Sequence, residues 1–196
     1  MNRKTAAFYN YFSFLYPIVD VFLKPQKTIL FKEVNAMPNG KLLEIGVGNG
    51  VHFKHYKKHE ITGIDTSATM LKIARKNRFG NVSLLEMSGE AIQFSDEEFD
   101  YIVLSHVIAV VDNPQLLLTE AYRVLKPGGQ IFILNHFTTD NWLRYVDHSL
   151  RQIAKLLHFK SIFRIEDIPA IEKFELRKQI NLGVASYFKL LIYQKP

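Results

Sequence analysis

The residues best suited to chemistry begin at Glu44. The run Glu44-Ile45-Gly46-Val47-Gly48-Asn49-Gly50 sets a carboxylate two positions ahead of three alternating glycines. The glycines come after a short apolar stretch, Lys41–Ile45, and the helix expected beyond them covers Val51–Lys57. Without Cβ atoms they let the backbone turn sharply and approach a ligand closely. Asp65 stands 19 residues beyond Gly46, at the end of the next apolar stretch, Glu60–Ile64. An acid at the tip of a second strand can accept both hydroxyl hydrogens of a ribose. Three more side chains are candidates for moving a proton or holding a substrate. His106 comes just after the apolar run 99–104, His136 just after 130–134, and Tyr16 sits in an aromatic N-terminal segment.

The spacing of the glycines bears on which nucleoside is bound. A dinucleotide fingerprint needs G-x-G-x-x-G, whereas the pattern here is G-x-G-x-G with Val51 after it. Glu44 would repel a pyrophosphate and suits the cationic amino-acid end of S-adenosylmethionine. The sulfonium nucleoside is therefore the expected cofactor.

The elements that must position these groups alternate along the chain. Phe8, Phe12, Leu15, Val19 and Phe22 form a helical stripe. Pro17 is expected to break it into two short pieces. A further helix is expected to start at Pro25 and to stop before Pro38-Asn39-Gly40. Strands are expected at Lys41–Ile45, Glu60–Ile64, Val82–Leu85, Phe99–Leu104 and Gln130–Leu134. Ser67 is placed to cap the helix Ala68–Lys76, and Asn113-Pro114 opens the helix Gln115–Leu125. Lys126-Pro127-Gly128-Gly129 should end it. Asn141–Leu157 reads as a long amphipathic helix, and Glu172–Asn181 with Ala185–Gln194 as a closing antiparallel pair. Five β-α units and two closing strands make a doubly wound α/β sheet of seven strands. One domain should fill 1–196, with 1–38 as an N-terminal helical lid and 39–196 as the cofactor-binding core.

Four segments together carry a family resemblance. They are Leu-Leu-Glu-Ile-Gly-Val-Gly-Asn-Gly (42–50), Gly-Ile-Asp-Thr-Ser-Ala-Thr-Met-Leu (63–71), Phe-Asp-Tyr-Ile-Val (99–103) and Arg-Val-Leu-Lys-Pro-Gly-Gly (123–129). The chain resembles the class I S-adenosylmethionine-dependent methyltransferases, which have a Rossmann-like sheet. The resemblance implies that Glu44, Gly46 and Gly48 line the methionine end. It implies that Asp65 holds the ribose and that Thr66 and Met70 flank the adenosine, with Ser88, Gly89 and Ser105 in the same site. The family usually has Gly-Asp-Ala-Glu ahead of the fourth strand, its Asp bonding the adenine amine. This chain has Met87-Ser88-Gly89-Glu90, and Ser88 is a weaker acceptor. Segments 105–114, 133–137 and 156–163, and the region of Tyr16, are similar to bacterial phosphatidylethanolamine N-methyltransferases. Similar enzymes methylate other amino lipids, and quinone-biosynthesis methyltransferases share much of the framework.

Composition narrows the partners. The chain of 196 residues is 47% hydrophobic, has no cysteine and carries a net charge of +6. The absence of thiols suits a reducing cytoplasm and removes disulfides and thiolate metal sites. The basic N-terminal tetrapeptide faintly imitates a secretory signal, but Asn10, Pro17 and Asp20 interrupt the apolar stretch beyond it. Arg144, His148, Arg151 and Lys155 make one cationic stripe, and from 141 to 164 five basic residues face one acid. That suits an anionic membrane surface. The expectation is a cytoplasmic protein, peripheral at most at the inner membrane face, with a lipid or small-molecule substrate. Nucleic acid is disfavoured because Ser105-His106-Val107-Ile108 is not the Asn/Asp-Pro-Pro-aromatic run of base-amine enzymes. His52, His55, His59, His148 and His158 are expected at the surface, and His52 and His55 lack the acids of a metal site. A chain that only holds the cofactor is the remaining alternative, and the oligomeric state is left open.

Overall fold

A computed structural model describes residues 16–77, 80–137, 164–182 and 188–196, with side chains from residue 26 onward. Seven strands form one sheet: β1 (Lys41–Ile45), β2 (Glu60–Asp65), β3 (Val82–Glu86), β4 (Phe99–Ser105), β5 (Leu125–His136), β6 (Glu175–Leu182) and β7 (Phe188–Gln194). Their spatial order is β3-β2-β1-β4-β5-β7-β6. The first five run parallel, and β7 is antiparallel to both β5 and β6. The chain builds outward from β1 to β3, then returns to β4 on the other side of β1. That reversal is where an open parallel sheet leaves a crevice at its carboxyl edge.

Strand alternation sends residues to two faces, both covered. Leu43, Ile131 and Ile133 pack with Leu117, Leu118, Ala121 and Val124 of α3 (Pro114–Val124). Leu42, Phe132 and Leu134 pack on the other face. There they meet Leu30, Phe31 and Val34 of α1 (Tyr16–Ala36) and Leu71 and Ala74 of α2 (Ala68–Asn77). The caps expected for α2 and α3 are formed. Ser67 Oγ accepts from Met70 N at 3.2 Å, and Asn113 Oδ1 accepts from Leu116 N at 3.1 Å.

Several expectations are corrected. The restart at Pro25 does not occur, because α1 is continuous from Tyr16 to Ala36; the part of the stripe before Tyr16, on which the break at Pro17 bears, lies outside the described residues. Pro17 sits in the first turn, where a missing N–H costs nothing, and Pro25 deletes one hydrogen bond while the turns on either side keep theirs. The helix expected over Val51–Lys57 shrinks to a 3-10 turn, Phe53–His55. Asn35 of α1 takes two backbone groups there, Nδ2 donating to His55 O (2.8 Å) and Oδ1 accepting from Lys57 N (3.0 Å). Residues 126–129 do not separate α3 from β5. They form a bulge within β5, where pairing jumps from Phe99–Leu125 to Tyr101–Gln130. The penultimate strand starts at Glu175, after a 3-10 turn over Pro169–Lys173.

His52 and His59 are buried, contrary to the surface placement. His59 Nε2 lies 3.0 Å from Val34 O, and its ring meets Tyr101 edge-on. The expected helix Asn141–Leu157, its cationic stripe, and the 156–163 segment lie outside the described residues, as do His148 and His158.

Candidate active site

The glycine loop turns because three of its residues take positive φ: 78° at Gly46, 55° at Gly48 and 68° at Gly50. Close packing reinforces the requirement at two of them. A Cβ on Gly46 would lie 2.7 Å from Val107, and one on Gly50 would lie 2.6 Å from Phe53. The loop amides are largely used within the protein. Gly46 N and Val47 N donate to Ile64 O, Gly50 N to Val47 O, and Gly48 N to Asp65 Oδ2 at 2.8 Å. A cradle for pyrophosphate needs those amides turned outward, so the geometry opposes a dinucleotide here.

Asp65 binds the loop to the start of α2, since its Oδ1 also accepts from Ser67 N at 2.9 Å. Burial pushes the Asp65 pKa up, while the amides of Ser67, Gly48 and Thr66 pull it back toward the charged form. Its oxygens retain lone pairs, and Asp65 stands on the wall of the cleft at the carboxyl edge.

That cleft gathers nine of the twelve candidate residues. Gly46, Gly48, Asp65, Thr66, Met70, Ser88, Gly89, Ser105 and His106 all line it. Ser105 Oγ is buried there with no hydrogen-bond partner among the described residues. Such a group costs stability unless a ligand or water meets it. Ser88 Oγ already accepts from Glu90 N at 3.2 Å, so its proton is the part left to meet a base.

Three candidates are placed differently. The Tyr16 side chain lies outside the described residues. His136, at the end of β5, is 3% exposed and not on the cleft wall. Glu44 is 2% exposed and also absent from the wall. Tyr56 donates to its Oε2 at 3.0 Å, and His52 Nε2 lies 2.8 Å from its Oε1. The His52 approach is close but lacks the alignment of a directed hydrogen bond. Burial and the adjacent Glu44 charge raise the Tyr56 pKa, which keeps its hydroxyl a donor.

His106 adopts φ 58°, which is uncommon outside glycine. Its backbone N donates to Leu134 O at 2.7 Å, and its ring meets Phe188 edge-on at 5.7 Å. The strain sits on the one candidate imidazole that reaches the cleft. Sequence reasoning passed over Met87, Val107, Val110 and Val111 on the same wall. Their only signal was an apolar run continuing past the end of β4. It also passed over His52 and Tyr56, whose signal was their closeness to the third glycine.

Relatives decide the identity. Residues 43–133 match the family described as a methyltransferase domain. The chain is 33% identical to a phosphatidylethanolamine N-methyltransferase of Cereibacter sphaeroides, over 83% of this chain and 83% of that one. The chain belongs to the class I S-adenosylmethionine-dependent methyltransferases. The methyltransferase is also 33% identical to a ubiquinone/menaquinone biosynthesis C-methyltransferase of Geotalea daltonii, over 55% of this chain and 50% of that one. A solved S-adenosylmethionine-dependent methyltransferase from Thermotoga maritima shares its fold, with TM-score 0.73 and 23% identity, covering 98% of this chain and 100% of that one.

S-adenosylmethionine is the cofactor, and the cleft fits it. Asp65 offers acceptors for ribose hydroxyls, Met70 and Met87 offer apolar thioether surfaces, and buried Ser105 Oγ lacks a protein partner among the described residues. Bound there, the cofactor supplies a methyl group already activated by its sulfonium.

The raised pKa of Asp65 sets a pH dependence. We propose that ribose hydroxyls donate to the ionised carboxylate; cofactor affinity is then expected to be full above that pKa and to fall as pH drops through it, by up to about tenfold per pH unit. Without cofactor the sign reverses. Stability linked to Asp65 is fullest below its ordinary pKa and is lost as pH rises through the raised value. Calorimetric titration with S-adenosylhomocysteine from about pH 7 down to about pH 4 checks this. An affinity constant over that range would contradict it.

Proposed function

We propose that the methyltransferase transfers the methyl group to the amine of an amino lipid such as phosphatidylethanolamine. The observation that carries this reading is the extent of the likeness to the Cereibacter sphaeroides enzyme, which spans 83% of both chains, whereas the likeness to the Geotalea daltonii quinone enzyme spans about half. Substrate recognition depends on the parts outside the shared cofactor framework, so the longer match bears more weight. Among the described residues no helix is long and apolar enough to cross a membrane.

The chain's own groups have two tasks in this reaction. Val107, Val110 and Val111 give the cleft an apolar wall that excludes water beside the reacting amine. His106 acts as general base, because an ammonium group cannot attack until it loses its proton. Alignment then does most of the remaining work. Mass spectrometry of lipids from cells expressing the protein, against an empty-vector control, should show N-methylated headgroups with a matching loss of the parent amine. An unchanged amino-lipid profile alongside a methylated quinone would transfer the assignment to the second substrate class.

A further inference from the structure

A second concavity, of 780 Å³, runs between α1 and the segment after the glycine loop, and it shares no lining residue with the cofactor cleft. Five lysines line it: Lys27 and Lys32 from α1, then Lys54, Lys57 and Lys58. No aspartate or glutamate is among its lining residues. The whole chain carries 25 Lys/Arg against 19 acids, so a local excess of five is close to the entire net charge. Two nearby acids are engaged elsewhere. Glu33 holds Lys178 at 2.8 Å, and Glu44 is buried against His52 and Tyr56.

The two walls are fixed to each other. Asn35 bonds both His55 O and Lys57 N, and the Phe31 ring stacks on His55 at 5.3 Å. These contacts hold together ammonium groups that repel one another, and an anion in the groove would reverse the sign of that interaction. Ammonium groups on flexible stems act as point charges suited to phosphate oxygens.

We propose that this groove is an anion site for phosphate groups, separate from the cofactor cleft, with Lys54, Lys57 and Lys58 supplying most of its attraction. It stands independently of which acceptor is methylated. The phosphate has two candidate sources, a phospholipid headgroup or free phosphate, and both meet the same lysines.

The test compares the full chain with the triple variant Lys54→Glu, Lys57→Glu, Lys58→Glu. One arm measures co-sedimentation with phosphatidylcholine vesicles containing phosphatidylglycerol. The other titrates inorganic phosphate by calorimetry. Each lysine near an anionic surface is worth about fivefold in affinity, so the triple variant should bind these vesicles at least about a hundredfold more weakly. Vesicle binding that depends on the lysines and survives added inorganic phosphate identifies the headgroup as the source. Lysine-dependent binding of inorganic phosphate that displaces vesicles identifies the free anion. Binding of both probes unchanged by the substitutions, or no binding of either, overturns the site. The milder set Lys54→Gln, Lys57→Gln, Lys58→Gln, with unchanged S-adenosylhomocysteine affinity, separates lost binding from lost folding.

Discussion

Asp65→Ala is expected to weaken S-adenosylhomocysteine binding about a hundredfold. Two charge-assisted hydrogen bonds to ribose hydroxyls are lost, each worth about 1.5–3 kcal/mol. Even about 3 kcal/mol in sum corresponds to roughly two orders of magnitude in affinity. The structure adds a second cost, because Asp65 also accepts from Gly48 N and Ser67 N and so joins the glycine loop to α2. Asp65→Asn helps to separate the two roles. It keeps the size of the side chain, yet its NH2 group must face an N–H or a ribose hydroxyl and can satisfy only part of the set. Calorimetry on folded Asp65→Ala protein showing less than about a threefold change would remove Asp65 from ribose recognition.

His106→Asn is expected to lower turnover at least about a hundredfold while leaving cofactor affinity nearly unchanged. An amine with a pKa near that of lysine, about 10.4, is neutral in only about one molecule in 2,500 at about pH 7. General-base assistance is typically worth about 10²–10⁴-fold. Asparagine is the informative substitute because it tolerates the positive φ of this position, whereas alanine would add backbone strain to the loss of the imidazole. His136, buried away from the cleft wall, should affect stability more than turnover when replaced by Asn. Retention of more than about a third of wild-type turnover by His106→Asn would mean that the site works by alignment on amine already deprotonated in solution.

Much of the framework was legible because its signals are local. Alternating apolar stretches, the glycine spacing, Asp65 at a strand tip, and the caps at Ser67 and Asn113 each depend on a few adjacent residues. The exceptions are long-range. Nothing near Val51 announces that Asn35, on another helix, will take the backbone of His55 and Lys57 and stop a helix from forming. Nothing near His59 shows that its ring will reach Val34 O, 25 residues earlier. Glu44 was expected at the methionine end from its charge and the family resemblance, and nothing local shows that Tyr56, twelve residues on, will donate to it in the interior. The proposed substrate side was least legible because the wall assigned to it is valine, and an apolar residue after a strand reads the same whether it packs in a core or faces a lipid.

The central claim is methyl transfer to a lipid amine, and one measurement addresses it directly. Purified protein is incubated with methyl-labelled S-adenosylmethionine and vesicles containing phosphatidylethanolamine, and the label is followed into the lipid extract. The expected result is label on the headgroup nitrogen, formed in step with S-adenosylhomocysteine and strongly reduced by Asp65→Ala at limiting cofactor. Protein that binds S-adenosylhomocysteine yet leaves the lipid unlabelled, while labelling a quinone offered in its place, would contradict the account.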